Sequence, residues 1–593
     1  MRTTRPELRG SFGAVASNHW LASQSGMAML ERGGNAFDAV VAAGLVLQVV
    51  EPHQNGLGGD LPVIAHDARS RQAFVLCGQG PAPAKASIGA YRNLGVETIP
   101  GTGLLAAVVP GAFDAWMVLL RDHGALRLRD VVEPAIHYAR HGYVVTPALT
   151  FYIDQVAALL SSAWPSSAAI YLANGKAPAA GTIHRNTALA ATYERLLQEG
   201  EAAGTAREVQ IEGARRAFYR GFVAEEIARY CASIDVPDST GRAHRGFLSG
   251  DDMATYGASY EEPVGYDYHG YTVLKTGPWG QGPACLQTLA LLKGFDIAAM
   301  APSGAEFIHT LTECLKLALA DREAHYGDTD GARRALTTLL SDSYNDKRRR
   351  LIGRDASGEI RPGAIGTTPP RLPRHFSNPA SGAAVARMGE GEPNALRLGA
   401  SDTVNVNAVD RHGNLVACMP SGGWLQSSPV IPALGFCLST RAQMFWLEDG
   451  LPASLAPGKR PRTTLTPGLA LRDGVPYLAF GSPGGDQQDQ WALQLFLRHV
   501  HHGHNLQEAI EAPAFMTEHI PSSFYPRQGK PAHLAVEDRV GETVSADLAR
   551  RGHAVDVRPG WSLGRLCAVA RESDGTLKAA SSPRTEQGYA VGR

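Results

Sequence analysis

Residues Thr403–Met419 read TVNVNAVDRHGNLVACM, and this stretch decides the fold. Thr403, Asn405 and Asn407 alternate with Val404, Val406 and Ala408, the period-two pattern of a β-strand. Asp410-Arg411-His412-Gly413-Asn414 supplies turn residues, and Leu415–Met419 returns as a second apolar run, so the segment predicts a hairpin. What precedes it is the opposite. Residues 355–401 are rich in Gly, Pro, Ser and Arg with little periodicity, which predicts a mobile loop over about 355–402. A loop therefore leads straight into a hairpin whose first strand residue is threonine. A self-cleaving chain needs that arrangement, because the scissile bond must be reachable and the new terminus must sit on a rigid strand. An ordinary loop-to-strand junction with a β-branched first residue reads the same way, and the junction alone does not separate the two.

Working outward, Leu21–Arg32 (LASQSGMAMLER) has helical spacing and stops at Gly33-Gly34-Asn35. Ala36–Val50 is apolar nearly all round and predicts a buried helix. A glycine-rich turn, Asn55-Gly56-Leu57-Gly58-Gly59, follows; it comes after a helix rather than a strand, so it is no dinucleotide fingerprint. Val63–Ala65 and Ala73–Cys77 read as paired strands. Residues 110–350 read as mostly helical, most plainly Phe307–His325. Gly468–Phe480 reads as a second strand pair around Arg472-Asp473-Gly474. A helix follows from about Gln488 to Val500, after Gly481-Ser482-Pro483-Gly484-Gly485-Asp486. There is no internal repeat.

Composition removes several function classes. The 593 residues are 44% hydrophobic, enough for a large core. Net charge is −1 and the charges are interleaved, which gives no basic patch for nucleic acid. The longest apolar run, Ala39–Val50, falls short of the roughly 20 residues a membrane helix needs. No apolar segment follows the charged N-terminus, so no secretory signal is read and the expected location is cytoplasmic. The seven cysteines are scattered without pairing, as expected of buried thiols in a reducing compartment. His499-Val500-His501-His502-Gly503-His504 resembles a metal cluster, but histidine at a helix end before glycine has a simpler cause in the helix dipole. No metal and no cofactor are expected.

Several segments together resemble the γ-glutamyltransferase family: Leu21–Pro52 with the NGLGG turn, VVPGAFDAW (Val108–Trp116), LALADREAHYGD (Leu317–Asp328), GKRPRTTLTP (Gly458–Pro467), GSPGG (Gly481–Gly485) and SPRTEQGYAVG (from Ser582). They occur in family order and span nearly the whole chain. The resemblance implies an α+β fold, the four-layer αββα sandwich of N-terminal-nucleophile hydrolases. It implies a precursor that cuts itself between Asp402 and Thr403. The products would be a large subunit, residues 1–402, and a small subunit, residues 403–593, which stay associated around one core. The hairpin matches the family's nucleophile strand, so Thr403 takes the catalytic place. Its freed α-amine would be the base, since an α-amine titrates at about 7.7–8.0. Ser421 aligns with a threonine whose hydroxyl supports the nucleophile. The amides of Gly484 and Gly485 match the oxyanion hole, where a helix start adds a favourable dipole. Thr463 and Thr464 match hydroxyl residues that contact substrate. Asn405 and Asn407 share the parity of Thr403, and either is a candidate to hold the new amine.

Three positions depart from the family pattern. Gln79 stands where the family has the arginine that clamps the substrate α-carboxylate. An aromatic, Phe445 or Trp446 after Gln443-Met444, replaces the aspartate that binds the α-amine. Gly423 replaces a contacting asparagine, beside Trp424. Losing each charged contact costs on the order of 2–3 kcal/mol, so the acyl group expected is not a standard γ-glutamyl. The reading is of a γ-glutamyltransferase-like amidohydrolase or acyltransferase. Its partners would be a small amide substrate with water or an amine acceptor. The acyl pocket is expected to be less charged, more aromatic and more open, with Arg462 and Arg584 as remaining carboxylate partners. The alternatives are an authentic γ-glutamyl hydrolase or transferase, and a non-catalytic family member.

Overall fold

The computed structural model describes residues 2–367, 369–374, 403–584 and 587–593. Two seven-stranded antiparallel sheets face each other. The first runs Leu8–Gly10, Leu577–Ser581, Cys567–Arg571, Val475–Gly481, Gly468–Arg472, Tyr271–Lys275, Val264–Tyr268. The second runs Tyr589–Gly592, Gly13–Ser17, Val406–Asp410, Leu415–Cys418, Leu61–Asp67, Gln72–Gly78, Ser259–Glu261. Both sheets mix strands from before and after the predicted cut, so residues on either side of it share one core.

Three apolar clusters give the layers. Ala14, Ala16, Ile64, Val409 and Ala417 of one sheet meet Leu274, Leu469, Ala479 and Val569 of the other between the sheets. Val406, Ala408 and Val416 turn outward instead, against the helices Trp20–Glu31, Ala36–Val50 and Ala112–His123. Val273, Leu478 and Phe480 pack on Gly282–Leu292, Ala305–His325 and Gln488–His502. The helix Ala36–Val50 is buried at every position, as its composition requires. Asn35 starts it, accepting from the amides of Phe37 and Asp38 while Asp38 accepts from the Asn35 amide. The architecture is the αββα sandwich.

Two local expectations change. The span 110–350 contains a hairpin, Val264–Tyr268 with Tyr271–Lys275, that forms one edge of the first sheet. Its strands are short and half polar, so helical context masked them. The hairpin strand after the loop begins at Val406; Thr403 stands before it, in an isolated bridge to Ser421. Residues 355–367 and 369–374 hold no helix or strand longer than a single bridge or turn. The rest of the predicted loop, with Asp402 of the cleavage site, lies outside the described residues. No helix among the described residues is long and apolar enough to cross a membrane. All seven cysteines are buried and free.

Candidate active site

The hairpin register pairs Val406 with Cys418, and the chain just outside it stays zipped. Val404 N–H donates to Pro420 O at 3.1 Å, and Thr403 bridges Ser421. The two hydroxyls therefore meet: Thr403 Oγ1 and Ser421 Oγ are 3.1 Å apart, both buried. Strand parity points Thr403, Asn405 and Asn407 toward the opposite sheet. There the asparagines are engaged. Asn405 Nδ2 donates to Cys418 O at 3.1 Å, and Asn407 Nδ2 donates to Asn405 Oδ1 at 2.7 Å and to Cys567 O at 2.9 Å. They tie the hairpin across the sandwich, which is a structural use of both side chains.

The strand Val475–Gly481 ends in the Ser482–Gly485 turn, and the helix Gln488–His502 follows. Gly484 has φ +132° and Gly485 φ +55°, values that L side chains rarely adopt. A Cβ on Gly484 would lie 2.2 Å from Trp491 Cζ3. Gln488 Nε2 approaches Thr403 Oγ1 to 3.5 Å, so the start of the helix that follows this turn reaches the threonine. The amides of Gly484 and Gly485 have no acceptor among the described residues. Thr463 and Thr464 are buried on an extended segment. Thr463 N–H donates to Trp279 O at 2.7 Å, while Thr464 Oγ1 has no partner among the described residues.

A guanidinium that sequence reasoning missed completes the site. Arg441 Nε lies 2.6 Å from Asp60 Oδ2, and Arg441 Nη2 donates to Ser421 Oγ at 2.5 Å. Asp60 is fixed by mutual backbone hydrogen bonds with Ser421, of 2.8 and 3.0 Å. The NGLGG turn permits this approach, since a Cβ on Gly59 would sit 2.1 Å from Ser421 O. Arg441 packs against the rings of Trp424 at 5.0 Å and Phe524 at 5.9 Å. Burial pushes the Asp60 carboxyl up, with Arg441 and Ser439 pulling it back. Asp60 and Arg441 are far apart in sequence, and Arg441 sits on a short 3₁₀ turn without periodicity, so no local signal joined them.

The substrate positions read from sequence divide. Gln79 is buried with its Oε1 unpartnered among the described residues. Gly423 has φ +65°, and a Cβ there would meet Cys437 O and Gly59 N at 3.0 Å, leaving no room for the family's asparagine. Trp446 lies under Arg527, with the guanidinium carbon 3.6 Å from the ring centroid. Trp424 and Trp446 each carry an arginine, so the expectation of less charge is corrected at both rings. Arg462 pairs with Glu323 at 3.0 Å, with its Nη1 unpartnered among the described residues, and Arg584 pairs with Glu537 at 3.0 Å. Thr403, Ser421, Thr463 and Thr464 are all buried in the uncut chain.

Two histidines of the run are engaged: His499 Nε2 is 2.6 Å from Tyr477 OH, and His501 Nε2 is 2.9 Å from Tyr268 OH. A different trio, His309, Glu313 and His553, lies within metal-ligand reach. Its carboxylate is already held by Lys316 and Arg361, cations that oppose a metal ion.

A four-layer αββα sandwich with a buried threonine at the head of an inner-sheet strand is the architecture of an N-terminal-nucleophile hydrolase. Residues 22–592 match the family model described as Gamma-glutamyltranspeptidase. The chain belongs to the γ-glutamyltranspeptidase family, whose members are amide hydrolases and acyl transferases. It is 30% identical over 582 residues to the "Glutathione hydrolase-like YwrD proenzyme" of Bacillus subtilis (strain 168), covering 98% of each chain. It is 31% identical over 590 residues to the "Acylase ACY 1 proenzyme" of Pseudomonas sp. (strain SE83), covering 97% of this chain and 93% of that one. The solved structure of LmbA2991HD superposes with a TM-score of 0.93 at 50% identity, with 100% of each chain covered. Both sequence relatives carry the word proenzyme, as a chain cut during maturation does.

Proposed function

We propose that this chain is a self-cleaving amidohydrolase or acyltransferase with Thr403 as nucleophile and an acyl donor other than a standard γ-glutamyl amide. The observation that carries the reading is the Thr403–Ser421 hydroxyl pair beside the Gly484–Gly485 turn. Cleavage between Asp402 and Thr403 gives subunits 1–402 and 403–593 and frees the α-amine. Ser421 Oγ accepts from Arg441, so its proton is available to donate to Thr403 Oγ1. The threonine proton is then left for the α-amine, whose ordinary titration near 7.7–8.0 suits a general base. Thr403 Oγ1 bonds the carbonyl carbon, and the amides of Gly484 and Gly485 receive the oxyanion. The C–N bond breaks and the amine leaves with the proton. Water or an acceptor amine then opens the ester and restores the hydroxyl.

The acyl preference rests on Gln79, Gly423 and Trp446, none of which supplies the charges that a glutamyl zwitterion needs. The acylase relative is consistent with such a donor. Denaturing intact mass of the purified protein and of Thr403→Ala tests the core claim. Two fragments with the smaller starting at Thr403, and an uncut variant, are expected. An uncut native protein, or a cut Thr403→Ala, would overturn it. γ-Glutamyl and simple acyl anilides then separate the donor classes, and a clear γ-glutamyl preference restores the glutathione-hydrolase alternative.

A further inference from the structure

Arg441 is fully buried, yet its donors are not all used. Nε faces Asp60 and Nη2 faces Ser421, while Nη1 has no partner among the described residues. An unmet donor on a buried, permanently charged group is costly, and a ligand that supplies an acceptor removes that cost. The position of this donor is informative. Only two hydrogen bonds, of 2.5 and 3.1 Å, separate Arg441 Nη2 from Thr403 Oγ1, so the guanidinium lies no farther from the nucleophile than their sum. Trp424 and Phe524 flank it and Asp60 anchors it, which keeps the free edge from swinging away.

We propose that Arg441 recognises a carboxylate on the acyl donor, bonded directly to the scissile carbonyl or separated from it by one carbon. The inference rests on Thr403 being the nucleophile. Bond lengths set the reach. In the acyl-enzyme, an oxygen of such a carboxylate lies roughly 3–4 Å from Thr403 Oγ1. One further hydrogen bond of about 2.9 Å then spans the gap to the guanidinium. The α-carboxylate of a γ-glutamyl group is three carbons beyond its carbonyl and overshoots this edge when extended. The family's own carboxylate position is Gln79 here, so the anion partner has a different origin in the fold. The charged Nη1 suits a carboxylate oxygen, and the hydrogen bond of Nη2 to Ser421 couples donor binding to the hydroxyl that touches the nucleophile.

The test has two arms. Calorimetric titration of the purified protein with oxamate, the smallest amide with a carboxylate next to its carbonyl, needs no turnover. Oxamate is expected to bind at least tenfold more tightly than neutral acetamide, and equal or absent binding overturns the proposal. In the second arm, kcat/KM is measured for the p-nitroanilides of oxalic, malonic, acetic and γ-glutamic acids. The oxalyl or malonyl anilide is expected to exceed the acetyl one by tenfold or more. Arg441→Lys is expected to shrink that ratio to within about threefold, read as a ratio on whatever fraction intact mass shows to be cut, since its absolute rate and its maturation are expected to fall as well. A neutral donor that matches the anionic ones, or a ratio kept by Arg441→Lys, overturns it. Failure of the Thr403 reading is seen separately, as an uncut chain in the mass spectrum, and oxamate affinity that is the same in native protein and Arg441→Lys overturns the Arg441 contact whether or not the chain is cut.

Discussion

Gly484→Ala should disable the proposed oxyanion turn while leaving the fold in place. The added methyl would lie 2.2 Å from Trp491 Cζ3 and 2.9 Å from Cη2, far inside ordinary contact. Trp491 cannot retreat freely, because its ring already lies against Gly564, whose own Cβ would meet it at 3.1 Å. The backbone adds strain, since φ is +132° and alanine there costs about 1–3 kcal/mol. Relief requires the turn to move by about 1 Å, the scale at which misplaced catalytic groups lose roughly a hundredfold in rate. Loss of one oxyanion donor costs a similar ~10²–10³ in kcat. The expected result is a fall of about 10²–10³ in kcat on any amide that the native enzyme turns over. Overpacking and strain together should lower stability by only a few kcal/mol. Initial rates and a urea midpoint measure the two effects. Gly458→Ala is the control: its φ is +71° but nothing lies within 4 Å of a Cβ there. It should show the strain without the loss of rate. Activity of Gly484→Ala within about threefold of native would refute the assignment of this turn.

Ser421→Ala should lower kcat about tenfold or more and destabilise the fold by roughly 1–3 kcal/mol, because it removes the partner of Thr403 Oγ1 and leaves Arg441 Nη2 unmet; Ser421→Thr should restore both, by rates and urea midpoint. Trp446→Ala should cost more stability than Trp446→Phe, since Arg527 rests 3.6 Å from the ring centroid; equal midpoints would contradict that. Burial pushes His19 down to about 3, below its ordinary 6.5. A depressed pKa gives stability that is present above about 6.5 and lost as pH falls toward 3, with a slope near 1.4 kcal/mol per pH unit for one proton. His19→Asn keeps a helix cap in place of the His19 ring that accepts from Leu21 N–H, and it should flatten the acid limb of urea stability by about that one proton.

Local patterning carried most of the fold. The alternation through Val404–Ala408, the turn at Asp410–Asn414 and the return to Cys418 required a hairpin whatever surrounded it, and the structure has it. Ala36–Val50 is apolar on every side, so it had to be buried, and it is. Parity along the hairpin already gave Thr403 the face of Asn405 and Asn407. The glycines at 484 and 485 foretold backbone that other residues resist. The hairpin Val264–Lys275 escaped because Tyr266, Asp267 and Thr272 at a sheet edge dilute the strand pattern.

Only the tertiary structure decided what surrounds the threonine. Asp60 meets Arg441 across 381 positions of sequence, and Trp446 meets Arg527 across 81. Sequence showed the aromatic replacements and implied a pocket with less charge; packing put a guanidinium on Trp424 and another on Trp446. Arg462 and Arg584, candidates by neighbourhood, turned out to pair with Glu323 and Glu537. The physical reason is range. Hydrophobic periodicity and turn chemistry act over a few residues and are written in order along the chain. The charge balance of a buried site depends on which side chains the sandwich brings together, and that is set only when both sheets close.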